Sequence, residues 1–121
     1  MSILHRISSP YTALSILRIG LSLVIIWFGF QQVSDPASWI GWVPGWVSDV
    51  PITARQFIIY NGIFEIVAGF LFTIGVYRRI VAWILFIHMV LIVIHIGITP
   101  IGVRDAGLAV GFLSLGLASR K

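Results

Sequence analysis

The chain has 121 residues, enough for one domain, of which 59% are apolar and 10% charged. Soluble domains run at about half apolar and about a quarter charged. A mean hydropathy of +1.04 implies more apolar surface than a soluble fold of this size can bury, so the composition points to an integral membrane protein. The net charge of +4 does not mark a nucleic-acid binder, because the basic residues sit in small groups at the ends of apolar runs, as topology signals do. The absence of cysteine excludes disulfides, thiol relays and iron–sulfur ligation by thiolate.

Ser9-Pro10 reads as an N-cap followed by proline at the first helical position. The apolar run behind it predicts a first transmembrane helix over residues 10–31, long enough for a bilayer core of about 30 Å. It is too long for a signal-peptide core, is interrupted by Arg18, and has no small-residue cleavage pattern after it. The connection from Gln32 to Ala54 carries Pro36, Pro44 and Pro51 among Trp39, Trp42 and Trp46. Tryptophans three and four residues apart share a face of a short helix, which Pro44 limits to a turn or two. They are read as an interfacial belt at headgroup level, ahead of a lid over the bundle mouth.

Thr53-Ala-Arg-Gln56 is a capping box and opens a second helix over residues 53–76. Tyr77-Arg78-Arg79 is a basic turn, and a third helix follows over residues 80–98. The fourth spans residues 100–119; a start at Pro100 instead of Arg104 gives it a full crossing and brings Arg104 and Asp105 inside the bundle. The fold class is thus all-α, an integral membrane four-helix bundle with an interfacial Trp-rich loop between its first two helices. Arg6, Arg78, Arg79, Arg120 and Lys121 fall on one side of it, against Arg55 and Arg104 on the other. By the positive-inside rule this is a multi-pass protein of the cytoplasmic membrane, with both termini cytoplasmic and the Trp loop outside.

A carboxylate amid apolar helices costs several kcal/mol unless it is paired or neutralised. Glu65 is the only acidic residue near the middle of such a run, so it is the natural centre of a buried polar network. The candidate members are Arg18, Asn61, Glu65, His88, His95, Arg104 and Asp105, with Gln31 and Gln32 beside them. By a rise of about 1.5 Å per residue, Glu65 and His88 share a layer near mid-membrane, and an Arg18–Glu65 ion pair is expected there. Asn61 precedes Glu65 by four residues, and His88 and His95 are seven apart, each pair on one helix face. Neighbours such as Arg104 and Asp105 point about 100° apart on a helix, so Asp105 is assigned to His95 and Arg104 to Asn61 or Glu65. Gly107-Leu-Ala-Val-Gly111 is a GxxxG that lets helices approach closely, read as packing within the monomer, with a homo-oligomer as the alternative.

Such a network either pins four helices in register or lines a small polar pocket that binds a head group or moves a proton. No catalytic residue is assigned. His88 and His95 share a helix and cannot clamp a haem from two faces. Glu65 with the histidines lacks a metal-site signature, so no metal is expected.

Several stretches resemble the DoxX family of small membrane proteins. They are Arg18-Ile-Gly-Leu and Trp27-Phe-Gly-Phe-Gln-Gln in the first helix, Gly62-Ile-Phe-Glu65 through Gly69 and Gly75 in the second, and Arg104-Asp105-Ala-Gly-Leu in the fourth. The resemblance implies a four-helix bundle, association with quinone-linked oxidation or with assembly of partner membrane proteins, and a polar signature at Arg18, Glu65, Arg104 and Asp105. The lack of cysteine leaves quinone-type or accessory roles. The leading expectation is a non-catalytic subunit of a membrane-bound, quinone-linked oxidoreductase complex, in contact with lipid and with other membrane subunits. Its alternatives are a quinone- or lipid-binding redox component with a Glu65–His88 proton relay, and a small solute or proton pathway. No cofactor other than quinone is implied.

Overall fold

Proline, glycine and capping residues set where each helix begins and ends. The computed structural model describes residues 10–118; the expected Ser9 cap and the topology charges Arg6, Arg120 and Lys121 lie outside these. Helix α1, Pro10–Ser34, runs past the expected Gln31 and stops one residue short of Asp35-Pro36. The proline ring bars its predecessor from helical backbone, and Asp35 adopts φ −143° and ψ 69°. Helix α2, Ala54–Ile74, begins on the Thr53–Gln56 capping box, both of whose hydrogen bonds are present. It ends at Gly75, whose φ of 82° is left-handed and suits glycine alone without strain. Its N–H and that of Val76 bond back to the Leu71 carbonyl. Tyr77, also left-handed at φ 49°, completes the turn into α3, Arg78–Ile96. Gly97, at φ 76°, ends α3 ahead of the expected Ile98. Thr99 caps α4, Pro100–Ala118, with its hydroxyl accepting from the Gly102 N–H at 3.0 Å.

Four helices are long and apolar enough to cross a membrane, and their outward faces carry large apolar side chains such as Trp27, Phe30, Phe70, Ile94 and Val110. The chain is an all-α, four-helix membrane bundle. Lacking a hydrophobic drive in lipid, such helices associate through close packing of small residues. On α1 and α2 this contact is drawn tight: a Cβ on Gly29 would lie 2.6 Å from the Gly62 carbonyl, and one on Gly62 would lie 2.7 Å from the Gly29 carbonyl. Farther along, a Cβ on Gly69 would meet Ile26 at 2.7 Å. Numbers rise on one helix as they fall on the other, so α1 and α2 are antiparallel. Helices α3 and α4 form the other close pair, where Gly116 accommodates Trp83. Between the pairs, toward the Arg78–Arg79 turn, lies a dry core of Ile25, Phe72, Leu85, Phe112 and Leu115. Toward the Trp loop the pairs separate and leave a cavity.

The Trp loop is not one short α-helix. It is two 3-10 helices, Pro36–Trp42 and Gly45–Asp49, because Pro44 has no N–H with which to continue the first. Buried Pro36 and Val47 pin it to the bundle.

Candidate functional site

Glu65 is 2% exposed, and three helices converge on its carboxylate. On its own helix, one turn toward the N-terminus, the Asn61 amide donates to Oε1 at 3.0 Å. From α1, the Gln32 amide donates to Oε2 at 3.4 Å. From α3, His88 Nε2 lies 3.2 Å from Oε1. The ring is a donor there when Nε2 carries the proton. Asn61 also donates to Gln32 Oε1 at 2.7 Å, which closes the cluster into a loop of hydrogen bonds. Phe64 packs beside the His88 ring, centroids 4.7 Å apart. The glycine seam makes this geometry available: a Cβ on Gly29 would press on the Glu65 Cβ at 3.1 Å, and one on Gly62 on the Gln32 Cβ at 3.1 Å. The backbone contact thus sets the two side chains of the network against each other.

Arg18 does not join this network, contrary to the sequence expectation. Side chains on a helix lean toward its N-terminus. Because α1 and α2 are antiparallel, Arg18 leans toward one end of the bundle and Glu65 toward the other. Arg18 Nη1 stands instead 3.5 Å from where a Cβ on Gly75 would be, about ten residues or 15 Å along α2 from Glu65. Gln32 takes the place assigned to it, and Gln31, one residue away, takes none.

Arg104 and Asp105 also depart from expectation. They bond to each other, Nε to Oδ1 at 3.0 Å and an Nη to Oδ1 at 2.8 Å. The angle between adjacent Cβ directions does not limit a side chain as long as arginine, which folds back over the shorter aspartate. Asp105 is 3% exposed, so its carboxylate needs this partner. The guanidinium also lies 4.0 Å over the Phe28 ring, a cation–π contact that ties α4 to α1. His95 lines the same cavity but makes no hydrogen bond to Asp105 among the described residues.

These groups face a cavity of about 510 Å³. Gln32, Asn61, Glu65 and His88 form one polar wall, and Arg104 with Asp105 another. Ile25, Met89, Ile92 and Leu108 supply apolar surface, and Trp39, Trp42 and Trp46 line the cavity from the loop. Trp39 meets Phe28 edge to face at 5.9 Å, and Trp46 meets Phe57 likewise at 5.6 Å. Tryptophans three apart eclipse on a 3-10 helix, which turns Trp39 and Trp42 onto the same side. They thus border the cavity from the loop side. Among the described residues no group of three or more acidic and histidine side chains is placed to hold a metal ion.

A family model described as DoxX matches residues 13–97. The chain belongs to the DoxX family. The match takes in α1, the Trp loop, α2 and α3, and with them Gln32, Asn61, Glu65 and His88. It stops before α4, so the Arg104–Asp105 pair lies beyond the part of this DoxX protein that the family model describes. No curated protein and no solved structure matches the chain.

Gln32, expected beside the network, is one of its links; its signal was its place one turn beyond Gly29 on the helix face that meets Gly62. One contributor escaped the sequence. Phe28, the platform under Arg104, carried no signal, since an aromatic residue in an apolar helix is ordinary.

Proposed function

We propose that this DoxX-family protein is a non-catalytic binding subunit of a membrane oxidoreductase system, and that its cavity holds the polar head of a quinone-class molecule. The observation that carries the reading is an apolar cavity whose walls present a few convergent polar groups, the usual form of a small-molecule site. Its volume of about 510 Å³ lies in the range of such sites, about 300 to 1,000 Å³. A quinone head is flat and apolar with two carbonyl acceptors, so it needs donors at the walls and aromatic surface between them. Both are at hand. Arg104 commits two N–H groups to Asp105 out of the five a guanidinium carries. Gln32 commits one amide hydrogen to Glu65, and Trp39 and Trp46 border the same space. Bound there, a quinone would supply redox chemistry that the cysteine-free chain lacks. In the alternative reading, a quinone-binding redox component, Glu65 and His88, 3.2 Å apart, would hold or pass a proton at the carboxylate oxygen.

The basic turn at Arg78–Arg79 supports a cytoplasmic placement for that end; the cavity mouth would then open on the opposite face of the cytoplasmic membrane. A cysteine placed at Ser48, in the Trp loop, would then react with a membrane-impermeant maleimide in intact cells, with no native thiol to confuse the readout.

The binding reading is tested by titrating a short-chain ubiquinone analogue into purified protein. Quinones quench indole fluorescence, and the lining tryptophans make the protein its own reporter. Saturable quenching is expected in the wild type. His88→Phe, which keeps the ring packed on Phe64, would weaken it by roughly fivefold, the worth of about one hydrogen bond. Unsaturable quenching, together with organic extracts free of quinone from protein taken out of native membranes, would refute the reading. A larger protein retained through mild-detergent purification would mark the subunit role.

A further inference from the structure

At the far end of the bundle from the cavity, two arginines from different helices converge, and among the described residues no carboxylate meets them. A Cβ on Gly75 would stand 3.5 Å from Arg18 Nη1 and 3.5 Å from Arg78 Cδ, so both side chains close on the same glycine. They line a second cavity of about 220 Å³, to which Tyr11 and Ser15 add hydroxyl-bearing side chains and Leu115 an apolar one. Among the described residues the Arg18 Nε is buried and has no hydrogen-bond partner. A buried N–H of a cation carries a large desolvation penalty unless something accepts from it. The acidic side chains of this protein do not answer that need. There are four: Asp35 and Asp49 flank the 3-10 helices of the Trp loop, and Glu65 and Asp105 are engaged in the first cavity.

Depth adds to the argument. The turn Gly75-Val76-Tyr77 leaves helical geometry, and irregular backbone belongs at the membrane surface, not in the hydrocarbon. Arg18 is level with that turn, and α1 continues for eight more residues to Pro10. The two guanidinium groups therefore sit at the depth of lipid phosphates. Planar forks of this kind match phosphate oxygens two at a time, and basic pockets between transmembrane helices hold anionic headgroups.

We propose that the Arg18–Arg78 pocket binds an anionic phosphate group, which a phospholipid headgroup supplies from the bilayer or inorganic phosphate supplies from solution. The pocket is independent of the quinone-type cavity, and its test does not depend on that reading.

Full-length protein is placed in nanodiscs of phosphatidylcholine with a minor share of phosphatidylglycerol, and the lipids it retains are counted by native mass spectrometry. The wild type should keep phosphatidylglycerol in preference to phosphatidylcholine. Arg18→Gln and Arg78→Gln should each reduce that preference by about tenfold, the loss of one charge-assisted hydrogen bond to phosphate. Arg79→Gln, an exposed arginine on the same turn outside the pocket, should leave it unchanged. In a second arm, inorganic phosphate is titrated into nanodiscs of phosphatidylcholine alone. A saturable rise in melting temperature that Arg78→Gln abolishes would assign the pocket to free phosphate. Should Arg18→Gln fail to fold, Arg78→Gln, at a partly exposed helix start, carries both arms. No lipid preference together with no phosphate effect overturns the proposal, as does an equal loss in Arg79→Gln.

Discussion

Arg104 and Arg18 are guanidinium groups at opposite ends of one bundle, and their surroundings differ. Arg104 has a carboxylate at 2.8 Å and an aromatic ring at 4.0 Å. Arg18 has a second arginine for a neighbour and a buried Nε with no acceptor among the described residues. The carboxylates explain the contrast, since all four lie in the Trp-loop half. That half pairs its two buried carboxylates internally and borders a cavity. The other half packs a dry core and leaves its cations turned toward whatever the membrane surface provides. On the two proposals above, one end would hold a guest inside the bundle and the other would meet one at its edge.

Substitutions can break this division, and the largest effect is expected at the glycine seam. In Gly62→Leu the added atoms meet the Gly29 carbonyl 2.7 Å from the first of them. Backbone cannot step aside as a side chain does, so the cost should exceed the roughly 1–3 kcal/mol of ordinary overpacking. Little folded protein should survive detergent extraction, as read by size-exclusion yield. If the variant folds, α1 has moved off α2 and Gln32 with it, and the quinone-analogue titration should weaken in step.

Next comes Asp105→Ala, which leaves Arg104 without its acceptor. About 1–3 kcal/mol should be lost, seen as a fall in melting temperature. Arg18→Gln removes the cation at the other end and orphans no carboxylate, so in zwitterionic lipid it should cost less than Asp105→Ala. Equal penalties for the two would dissolve the contrast between the ends. Trp39→Ala forfeits the edge-to-face contact with Phe28, about 0.5–1.5 kcal/mol, and should speed release of a bound analogue more than it lowers the melting temperature.

The sequence carried much of what depends on local rules. The Thr53–Gln56 box and the one-turn spacing of Asn61 and Glu65 each follow from residues within a turn of one another, whereas the expected helix to residue 76 runs through Gly75, which in fact ends α2. Depth along the helices also brought His88 to Glu65. What it did not carry is direction. Counting rise sets Arg18 and Glu65 close enough to pair, but opposed helices lean their side chains apart, and the ion pair is replaced by one glutamine. The converse error lies at Arg104–Asp105, where helical angle argues against contact and side-chain length allows it. The spacing also gave Trp39 and Trp42 a shared face, but not the 3-10 winding of the two short helices that carry the loop.

The smallest effect is expected from Gly107→Leu, and it decides what the GxxxG on α4 does. The motif is split. A Cβ on Gly111 would press against Leu21 of α1 at 2.7 Å, whereas one on Gly107 meets nothing within 4 Å. Only Gly111 therefore serves contact inside the monomer, and Leu21 is flexible enough to yield to an alanine there. Gly107→Leu should melt within about 0.5 kcal/mol of wild type, as substitutions away from buried features do. Crosslinking in native membranes adds the second readout. A crosslinked dimer in the wild type that Gly107→Leu abolishes, with melting unchanged, would make this face a contact between copies. Monomers in both would leave the glycine as surface that lipid covers, and the motif as a single contact between α4 and α1.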